Sequence, residues 1–525
     1  MTAQAQQPRE PPKPRLAQSY AANVVLVVLT LFPGLINTSA IALLSPVIGG
    51  DLRVAPNAAA AIPLMSDAAL AFGCVLAAEL IRRVESRRLY FVLLAASLAS
   101  SLVSALTPSF ALLLAAHIVH GLVAGMLFVV VLPPLLVNFS SAKLGATASV
   151  MVPALFGATT LGPLIGGLVA SPQLWRTIFG AEVLIALVAI ALAPSVLEKR
   201  EPRGSDQPVD WFALIASALG SLLIYLGAGA LASHGLADPH ASAPFAAGIM
   251  TYAVLIAVEA RLRHPLVPVR ELGTSLALIG TIATVAGSAA FSALTQCFTL
   301  TLERVDGLGI HATGLAYWPE FLTAIASGYV FGRLVTTRWV VVCGAAGLLF
   351  IAAGAGLAHA LAPLDAATVG WLCLVSGFGA GLSVSPGLFV VTLASERAIV
   401  SRAIALLNLF RLTGGFVSAP GVEHTIGSRA TTHLLAIAPS STGVRLDEQV
   451  RAFIVGSGPP PEAIGVARRA LALAIDDAYV IVIVVALGGA ALIAALMLAA
   501  HMRLQAPDLR RFDEGHAALT SPGIA

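Results

Sequence analysis

The sequence predicts an all-α membrane protein with fourteen transmembrane helices, because composition, apolar run lengths and the placement of basic residues agree. The chain has 525 residues, of which 58% are hydrophobic and 11% are charged, and its mean hydropathy is +0.90. Soluble domains carry about 25% charged residues, and a single hydrophobic core stops growing near ~300 residues. So many apolar side chains need the bilayer as their solvent, which excludes a soluble enzyme, a disulfide-rich secreted scaffold and a disordered protein.

Apolar runs long enough to cross a bilayer recur along the whole chain. A helix needs about 20 mostly apolar residues to cross the ~30 Å hydrocarbon core, and fourteen windows of that size can be placed. None of them alternates polar and apolar residues with period two, so a β-barrel is not expected. The predicted spans, numbered 1 to 14, begin near Ala22, Ala58, Leu89, Phe110, Ala146, Trp175, Trp211, Ala243, Ser275, Ala312, Trp339, Ala366, Ile399 and Ile475.

The placement of Lys and Arg predicts the orientation of these spans. With the N-terminus inside, most basic residues fall in inside loops, whereas the six short outside loops hold only Arg53, Arg176 and Arg304. This bias is the positive-inside pattern, and a count of thirteen spans would erase it. The expected location is therefore the inner (plasma) membrane, with many passes and both termini cytoplasmic.

Polar stretches divide the chain into two bundles and an insertion. We expect a cytoplasmic tail (1–20), a six-helix bundle (21–194), a cytoplasmic linker with an inserted two-helix hairpin (195–272), a second six-helix bundle (273–501) and a cytoplasmic tail (502–525). The second bundle includes a long outer loop, 424–474, which carries three consecutive prolines and ends in an amphipathic stretch. Six helices on either side of an insertion suggest a duplicated bundle, as in transporter folds built from repeats.

The clearest motif lies in predicted span 5, where small residues and a proline recur at helical spacing: Gly157, Gly162, Pro163, Gly166 and Gly167. Glycines let a neighbouring helix approach closely. A proline removes a backbone donor and bends the helix. Taken alone, the motif fits a conformational element and a simple packing face equally well.

Together with other segments, this motif resembles the 14-helix drug:proton antiporter subfamily (EmrB/QacA type) of the major facilitator superfamily. The pattern G-x-x-x-x-G-P-x-x-G-G is similar to the antiporter signature of those exporters. Further segments resemble the patterns of that subfamily at corresponding places: Trp175–Phe179, Glu259–Leu266, Glu303–Pro319, Gly377–Gly381 and Asn408–Gly415. The matches occur in the expected order over nearly the whole chain.

The resemblance implies a major facilitator fold and a secondary active transporter that exports small amphipathic compounds or drugs in exchange for protons, by alternating access. Its partners would be a small-molecule substrate, protons and the lipid bilayer, with no cofactor, no metal and no nucleic acid, and it would act as a monomer. The same fold also suits a dedicated single-metabolite exporter or an importer. A membrane-embedded enzyme or scaffold is the alternative of another class, but the chain has no H-E-x-x-H and no G-x-S-x-G motif.

The sequence departs from the family patterns at three places. In span 1, Asn37 replaces an acidic residue, and in span 4 a permanent Arg becomes His117, followed by His120 one turn later. Histidine, unlike arginine, titrates near physiological pH. The loop after span 2 loses its glycines, but it keeps a stand-in for the family Asp and a basic cluster, namely Glu79 with Arg82, Arg83, Arg87 and Arg88.

Ionisable residues at membrane depth are the candidates for proton coupling: Asp67, Glu182, Glu320, His117 and His120. A charge at such depth costs at least ~2.5–3.5 kcal/mol, so these residues usually face a cavity and mark a function. Burial also favours the neutral form of a carboxyl group, which suits a group that carries a proton. A hydrogen-bonded structural role is the alternative for each of them.

A second set of residues is expected to line a central substrate cavity: Asn37, Gln296, Tyr317, Trp318 and Arg411. Acids among aromatic rings suit a cationic group, so this composition favours cationic or zwitterionic substrates. For Arg411, a structural role at the cytoplasmic rim fits equally well.

Overall fold

A computed structural model describes residues 16–200, 202, 207–263, 265–396, 399–437, 461–500, 507, 509 and 513. Within these ranges the regular structure is entirely helical. Thirteen continuous helical segments of the described residues, one of them Ser141–Leu168, are long and apolar enough to cross a membrane. A fourteenth span consists of two shorter helices in succession, so the all-α membrane fold predicted from the sequence is confirmed.

The helices begin close to the predicted positions, except for the last one. They are α1 (Tyr20–Leu52), α2 (Pro56–Leu80), α3 (Ser86–Leu106), α4 (Phe110–Val137), α5 (Leu144–Val152), α6 (Ala158–Leu168), α7 (Thr177–Val196), α8 (Trp211–His234), α9 (Pro239–Glu259), α10 (Val269–Leu272), α11 (Ser275–Leu300), α12 (Ile310–Ala316), α13 (Trp318–Leu334), α14 (Val340–Leu361), α15 (Ala366–Ala394), α16 (Val400–Ile437) and α17 (Pro461–Ala499).

Two spans are interrupted. The fifth consists of α5 and α6 joined by a π-helical turn at Pro153–Gly157. Pro153 has no amide hydrogen for the α-helical pattern, and a single π turn of this kind is frequent at functional sites. The tenth consists of α12 and α13, which meet at Tyr317. Pro319 lies in the first turn of α13, where the backbone N–H groups have no intrahelical partner and a proline is tolerated.

The bundles meet along two lines of contact. One joins α2 to α16, and the inserted hairpin α8–α9 packs beside it, with α8 against both helices. The other joins α5 and α6 of the first bundle to α13 and α12 of the second. Because the described residues contain an even number of spans, the start of α1 and the end of α17 lie at the same end of the helical bundle, which we call the termini face.

The segment predicted as the outer loop, 424–474, is helical at both of its ends. Helix α16 continues to Ile437 and α17 already begins at Pro461. The two helices are therefore separated only by 438–460, and these residues lie outside the described part of the chain.

Packing between α16 and α17 explains why these segments stay helical. Ala430 of α16 and Leu471 of α17 are fully buried. His433 Nε2 lies 2.9 Å from the Asp477 carboxylate, which joins the two helices through polar side chains as well. The amphipathic stretch at the end of this segment favours a surface helix, and its apolar side packs against α16.

Candidate functional site

Four buried polar side chains from three helices form one cluster in the first bundle. They are Asn37 of α1, His117 and His120 of α4, and Glu182 of α7, and each is at most 5% exposed. Asn37 Nδ2 donates a 2.8 Å hydrogen bond to Glu182 Oε2. The other carboxylate oxygen, Oε1, lies 3.5 Å from His120 Nδ1. The sequence analysis proposed all four residues, and the fold brings them together.

Close helix packing places His120 in this cluster. A Cβ atom built at the neighbouring Gly121 would overlap the Ser66 carbonyl oxygen of α2, so the two backbones are in contact there. Only glycine permits that approach. On the opposite side, Gly34 of α1 leaves open the space that His120 and Glu182 share.

The two histidines have unused hydrogen-bonding capacity. His117 Nδ1 donates to the Leu113 carbonyl oxygen at 3.1 Å, which leaves Nε2 as an acceptor, and this atom is buried without a partner. Both ring nitrogens of His120 are also buried without a hydrogen bond, because 3.5 Å to Glu182 is too long for one. An unsatisfied buried polar group costs about 1–3 kcal/mol. The cluster therefore has room to accept a proton, at a cost that a purely structural core would avoid.

Beside the cluster lies a small cavity between the bundles. Glu182 and His120 line one part of it, and Asn408 and Arg411 of α16 line another. Its volume of about 20 Å³ holds a water molecule, whereas sites for drug-sized ligands measure about 300–1,000 Å³. The structure is therefore a closed arrangement, and a substrate can enter only after the bundles separate.

Arg411 is held by its own helix. Its Nε donates a 2.9 Å hydrogen bond to Asn408 Oδ1, one turn earlier, and the guanidinium lies 6.0 Å from the centre of the Phe128 ring. Asn408 was missed as a site residue, although a lone amide in the apolar run Ala405–Phe410 is a signal that sequence reasoning could have used.

A second buried cluster lies in the second bundle. Glu320 of α13 is 2% exposed, its Oε1 has no hydrogen-bond partner, and the Cys373 side chain of α15 is its polar neighbour. Tyr317 is 1% exposed and its hydroxyl lies 2.7 Å from that of Thr299. No contact among the described residues joins this cluster to Glu182.

Trp318 does not line a cavity, contrary to the expectation from the sequence. Its side chain is 56% exposed on the outer surface, next to the buried Tyr317. Consecutive residues of a helix differ by about 100° in direction, so only one of the two rings can point inward. At the break between α12 and α13 the Tyr317 ring points inward and the Trp318 ring points outward.

The two remaining candidates lie away from the first cluster. Gln296 Nε2 donates to Glu423 Oε2 at 3.4 Å; sequence reasoning missed Glu423, because it stood at the edge of the predicted outer loop. Asp67 is half-buried on α2. It interacts electrostatically with Tyr225 of the inserted hairpin, and so does Arg411.

The span 5 motif lies in the contact surface between the bundles. We call the contact of Pro163 and Gly167 of α6 with His311 and Gly314 of α12 the seam. A Cβ atom at Gly167 would lie 2.8 Å from the Gly314 Cα of α12. One at Gly314 would lie 2.5 Å from the Pro163 carbonyl oxygen. His311 Nδ1 donates to the Gly167 carbonyl oxygen at 2.9 Å, which is a hydrogen bond across the seam.

The remaining glycines of the motif face other helices. Gly162 and Gly166 pack on Ser39 and Ala40 of α1, and Gly157 packs on Phe321 of α13. The motif is thus a packing face, and two of its partner helices, α12 and α13, belong to the opposite bundle. Separation of α6 from α12 and α13 has to break these contacts.

The basic cluster after α2 is organised by Glu79. This carboxylate, 2% exposed, accepts a 3.2 Å hydrogen bond from Arg82 Nη1 and a 2.5 Å one from Arg83 Nε. Both arginines also reach Gln207 of the linker. Arg87 lies over the Phe91 ring instead, and Arg88 is exposed.

Glu79→Ala is expected to destabilise the protein by about 1–3 kcal/mol, because two partly buried guanidinium groups lose their shared carboxylate. Thermal unfolding of the purified protein in detergent measures this change. Glu198→Ala is the matched control, since that carboxylate contacts Arg200 only at 3.9 Å. Equal melting temperatures for the two variants would contradict an organising role for Glu79.

Comparisons with known proteins identify the family. The family model of the Major Facilitator Superfamily matches residues 26–419. The chain is 26% identical to the multidrug resistance protein B homolog of Mycobacterium tuberculosis over 64% of this chain and 63% of that protein. It is 27% identical to the cephamycin export protein CmcT of Amycolatopsis lactamdurans over 75% of this chain and 82% of that protein. The match thus spans less than two thirds of the mycobacterial relative.

Solved structures agree at the level of the fold. The structure of the human organic anion transporter MFSD10 superposes with a TM-score of 0.56 at 13% identity, over 89% of this chain and 99% of that one. A peptide transporter of the POT family superposes with a TM-score of 0.55 at 14% identity, over 93% and 98% of the two chains. The chain described here belongs to the Major Facilitator Superfamily.

Proposed function

We propose that this protein exports small amphipathic compounds from the cytoplasm in exchange for protons, as a monomer in the plasma membrane with both termini cytoplasmic. One observation carries the proposal. A buried carboxylate, Glu182, touches an amide and a histidine with free hydrogen-bonding capacity, and it lines a closed cavity between two bundles. Relatives named for multidrug resistance and cephamycin export support the direction and the substrate class.

In this proposal Glu182 carries the proton. When it is ionised, Oε2 accepts from Asn37, and the negative charge attracts a cationic group of the substrate or a protonated His120. When Oε1 is protonated, the charge is gone and the substrate is released. His120 Nδ1, 3.5 Å away, is placed to receive or return that proton after a small movement. Asn37 remains a donor in both states, so it positions the carboxyl group.

The bundles supply alternating access. The contacts of α6 with α12 lie at the end of the bundles away from the termini face, as between Gly167 and Gly314, and the contacts of α5 with α13 lie toward the termini face, as between Gly145 and Gly332. Opening the bundles at one of these ends while the other end stays closed exposes the same site to one side at a time. A gradient of one pH unit is worth about 1.4 kcal/mol per proton and sustains about a tenfold substrate gradient.

Proton–substrate exchange in everted membrane vesicles tests this function. The vesicle lumen is acidified, a panel of cationic, zwitterionic and anionic compounds is added outside, and the lumen pH is followed with a quenched dye. We expect at least one compound to collapse the gradient only in vesicles that contain this protein. If no compound moves protons although the protein is folded, antiport of amphipathic compounds is refuted, and import or a dedicated metabolite exporter becomes the better account.

Glu320→Gln tests whether the second buried cluster takes part in proton-coupled export. Export is expected to fall roughly tenfold, since a hydrogen bond to a buried charged group contributes ~1.5–3 kcal/mol. Export rates in everted vesicles, normalised to the amount of protein, measure the effect. Glu198→Gln on the linker is the control, and unchanged export in Glu320→Gln would remove this residue from the coupling scheme.

A further inference from the structure

The cavity between the bundles carries opposite charges on its two walls. Glu182 belongs to the first bundle and Arg411 to the second, and both line the same space. Helix α4 runs along this cavity, with His120 next to Glu182 and Phe128 next to Arg411. Eight residues separate these two positions, which corresponds to about 12 Å along the helix axis.

Arg411 is partly buried and lacks the carboxylate partner that a guanidinium group within a membrane protein normally has. In the described part of the chain no carboxylate lies within 4.0 Å of it, and its hydrogen bond goes to Asn408 of its own helix. An arginine always keeps its charge, and its flat array of N–H groups matches a carboxylate. A charge left unpaired inside a membrane protein is costly, so this arrangement favours an anionic group that arrives from outside the chain.

Asp67 of α2 forms no ion pair with Arg411 in the described part of the chain. Tyr225 interacts with both Asp67 and Arg411, and its hydroxyl is buried without a hydrogen bond. Most of the other lining side chains are apolar, among them Leu31, Leu127 and Phe128, although Thr30 and Ser97 also line the cavity. The site thus offers an acidic group, a basic group and apolar side chains within one cavity.

We propose that the substrates are amphipathic zwitterions, whose ammonium group binds at Glu182 and whose carboxylate binds Arg411. This inference rests on the proposed export function and narrows its substrate class. The Arg411–carboxylate pair does not depend on the protonation of Glu182, because arginine keeps its charge. The Glu182–ammonium pair breaks when Glu182 is protonated, and the substrate, then held by one pair only, is released. Arg411 is therefore a specificity-determining residue, and Glu182 is the switch.

A rigid probe and its two blocked derivatives test the inference. The probe is 4′-(aminomethyl)biphenyl-4-carboxylic acid, whose charges are separated by a length close to the ~12 Å between the two positions on α4. Its methyl ester keeps only the ammonium group, and its N-acetyl derivative keeps only the carboxylate. Binding of each compound to the purified full chain in detergent is measured by titration calorimetry.

We expect the wild-type protein to bind the amino acid at least about tenfold more tightly than either derivative, as one charge-assisted bond predicts. Arg411→Gln should remove the preference for the amino acid over the ester and leave ester affinity within about twofold. Glu182→Gln should instead remove the preference over the N-acetyl compound. Arg411→Lys, which keeps the charge, should retain part of the first preference.

Three results would overturn the inference: no preference for the amino acid in the wild type, no binding of any of the three compounds, or an equal loss for amino acid and ester in Arg411→Gln. The last result would make Arg411 a structural residue. Vesicle transport separates this failure from failure of the proposed function. If the ester is exchanged for protons and the amino acid is not, export stands and the zwitterion assignment falls.

Discussion

Glu182→Gln is expected to abolish the ability of the proton gradient to drive export. A gradient of two pH units sustains about a 100-fold substrate gradient for one exchanged proton, and this ratio should fall to about one in the variant. Glutamine preserves the shape of the side chain and can still accept the Asn37 hydrogen bond, but it carries no titratable proton. Substrate accumulation at steady state in proteoliposomes with an imposed pH difference measures the ratio.

The matched control is Glu198→Gln, which removes a carboxylate from the linker and leaves the cluster intact. Substrate counterflow without a gradient separates coupling from folding, because it needs a closed and an open state but no net proton movement. We expect counterflow to persist in Glu182→Gln. Wild-type accumulation in this variant would show that another group carries the proton, and Glu320 would be the first to examine.

Gly167→Val is expected to hold the seam between α6 and α12 open. The added Cβ atom would lie 2.8 Å from Gly314 Cα and 3.0 Å from the His311 carbonyl oxygen, and backbone atoms cannot move aside as a flexible side chain does. Overpacking of this kind costs ~1–3 kcal/mol, which disfavours the closed state by roughly 5- to 150-fold. Export should fall by a similar factor.

A reporter cysteine detects the open seam directly. Thr38→Cys places a thiol in the small cleft beside Asn37 and His117, and a membrane-impermeant maleimide is added from the face opposite the termini. Labelling should rise in Gly167→Val. The control is Gly180→Val, because nothing lies within 4 Å of the Cβ position there. Equal labelling in the two backgrounds would contradict a gating role for this seam.

Sequence reasoning identified the first cluster because its members break a strong pattern. Asn37, His117, His120 and Glu182 are polar residues within long apolar runs. The cost of burying an ionisable group made His117, His120 and Glu182 candidates, and Asn37 was a candidate because it replaces an acidic residue of the family pattern. What the sequence could not supply was their grouping. The contact of Glu182 with Asn37 joins residues 145 positions apart in the chain, and it depends on how α1, α4 and α7 pack.

The predictions from the sequence that differ from the structure also have specific physical causes. Tyr317 and Trp318 were both expected to face the cavity, but a helix break turns one ring inward and the other outward. The segment predicted as the outer loop, 424–474, is helical at both ends because α16 and α17 pack against each other there. The sequence did not decide between a cavity-lining role and a structural role for Arg411, because its position opposite Glu182 results from the contact between two bundles.

Proton release on substrate binding shows whether Glu182 exchanges its proton for the substrate. The purified protein is mixed, in weakly buffered detergent between about pH 5 and 8, with the compound that gives the largest proton flux in the vesicle panel, and a pH indicator reports the protons set free. The account predicts that the wild type releases up to about one proton per bound molecule and that Glu182→Gln binds the compound without release. Equal release by the two proteins, or binding by the wild type with no release across this range, would contradict exchange at Glu182.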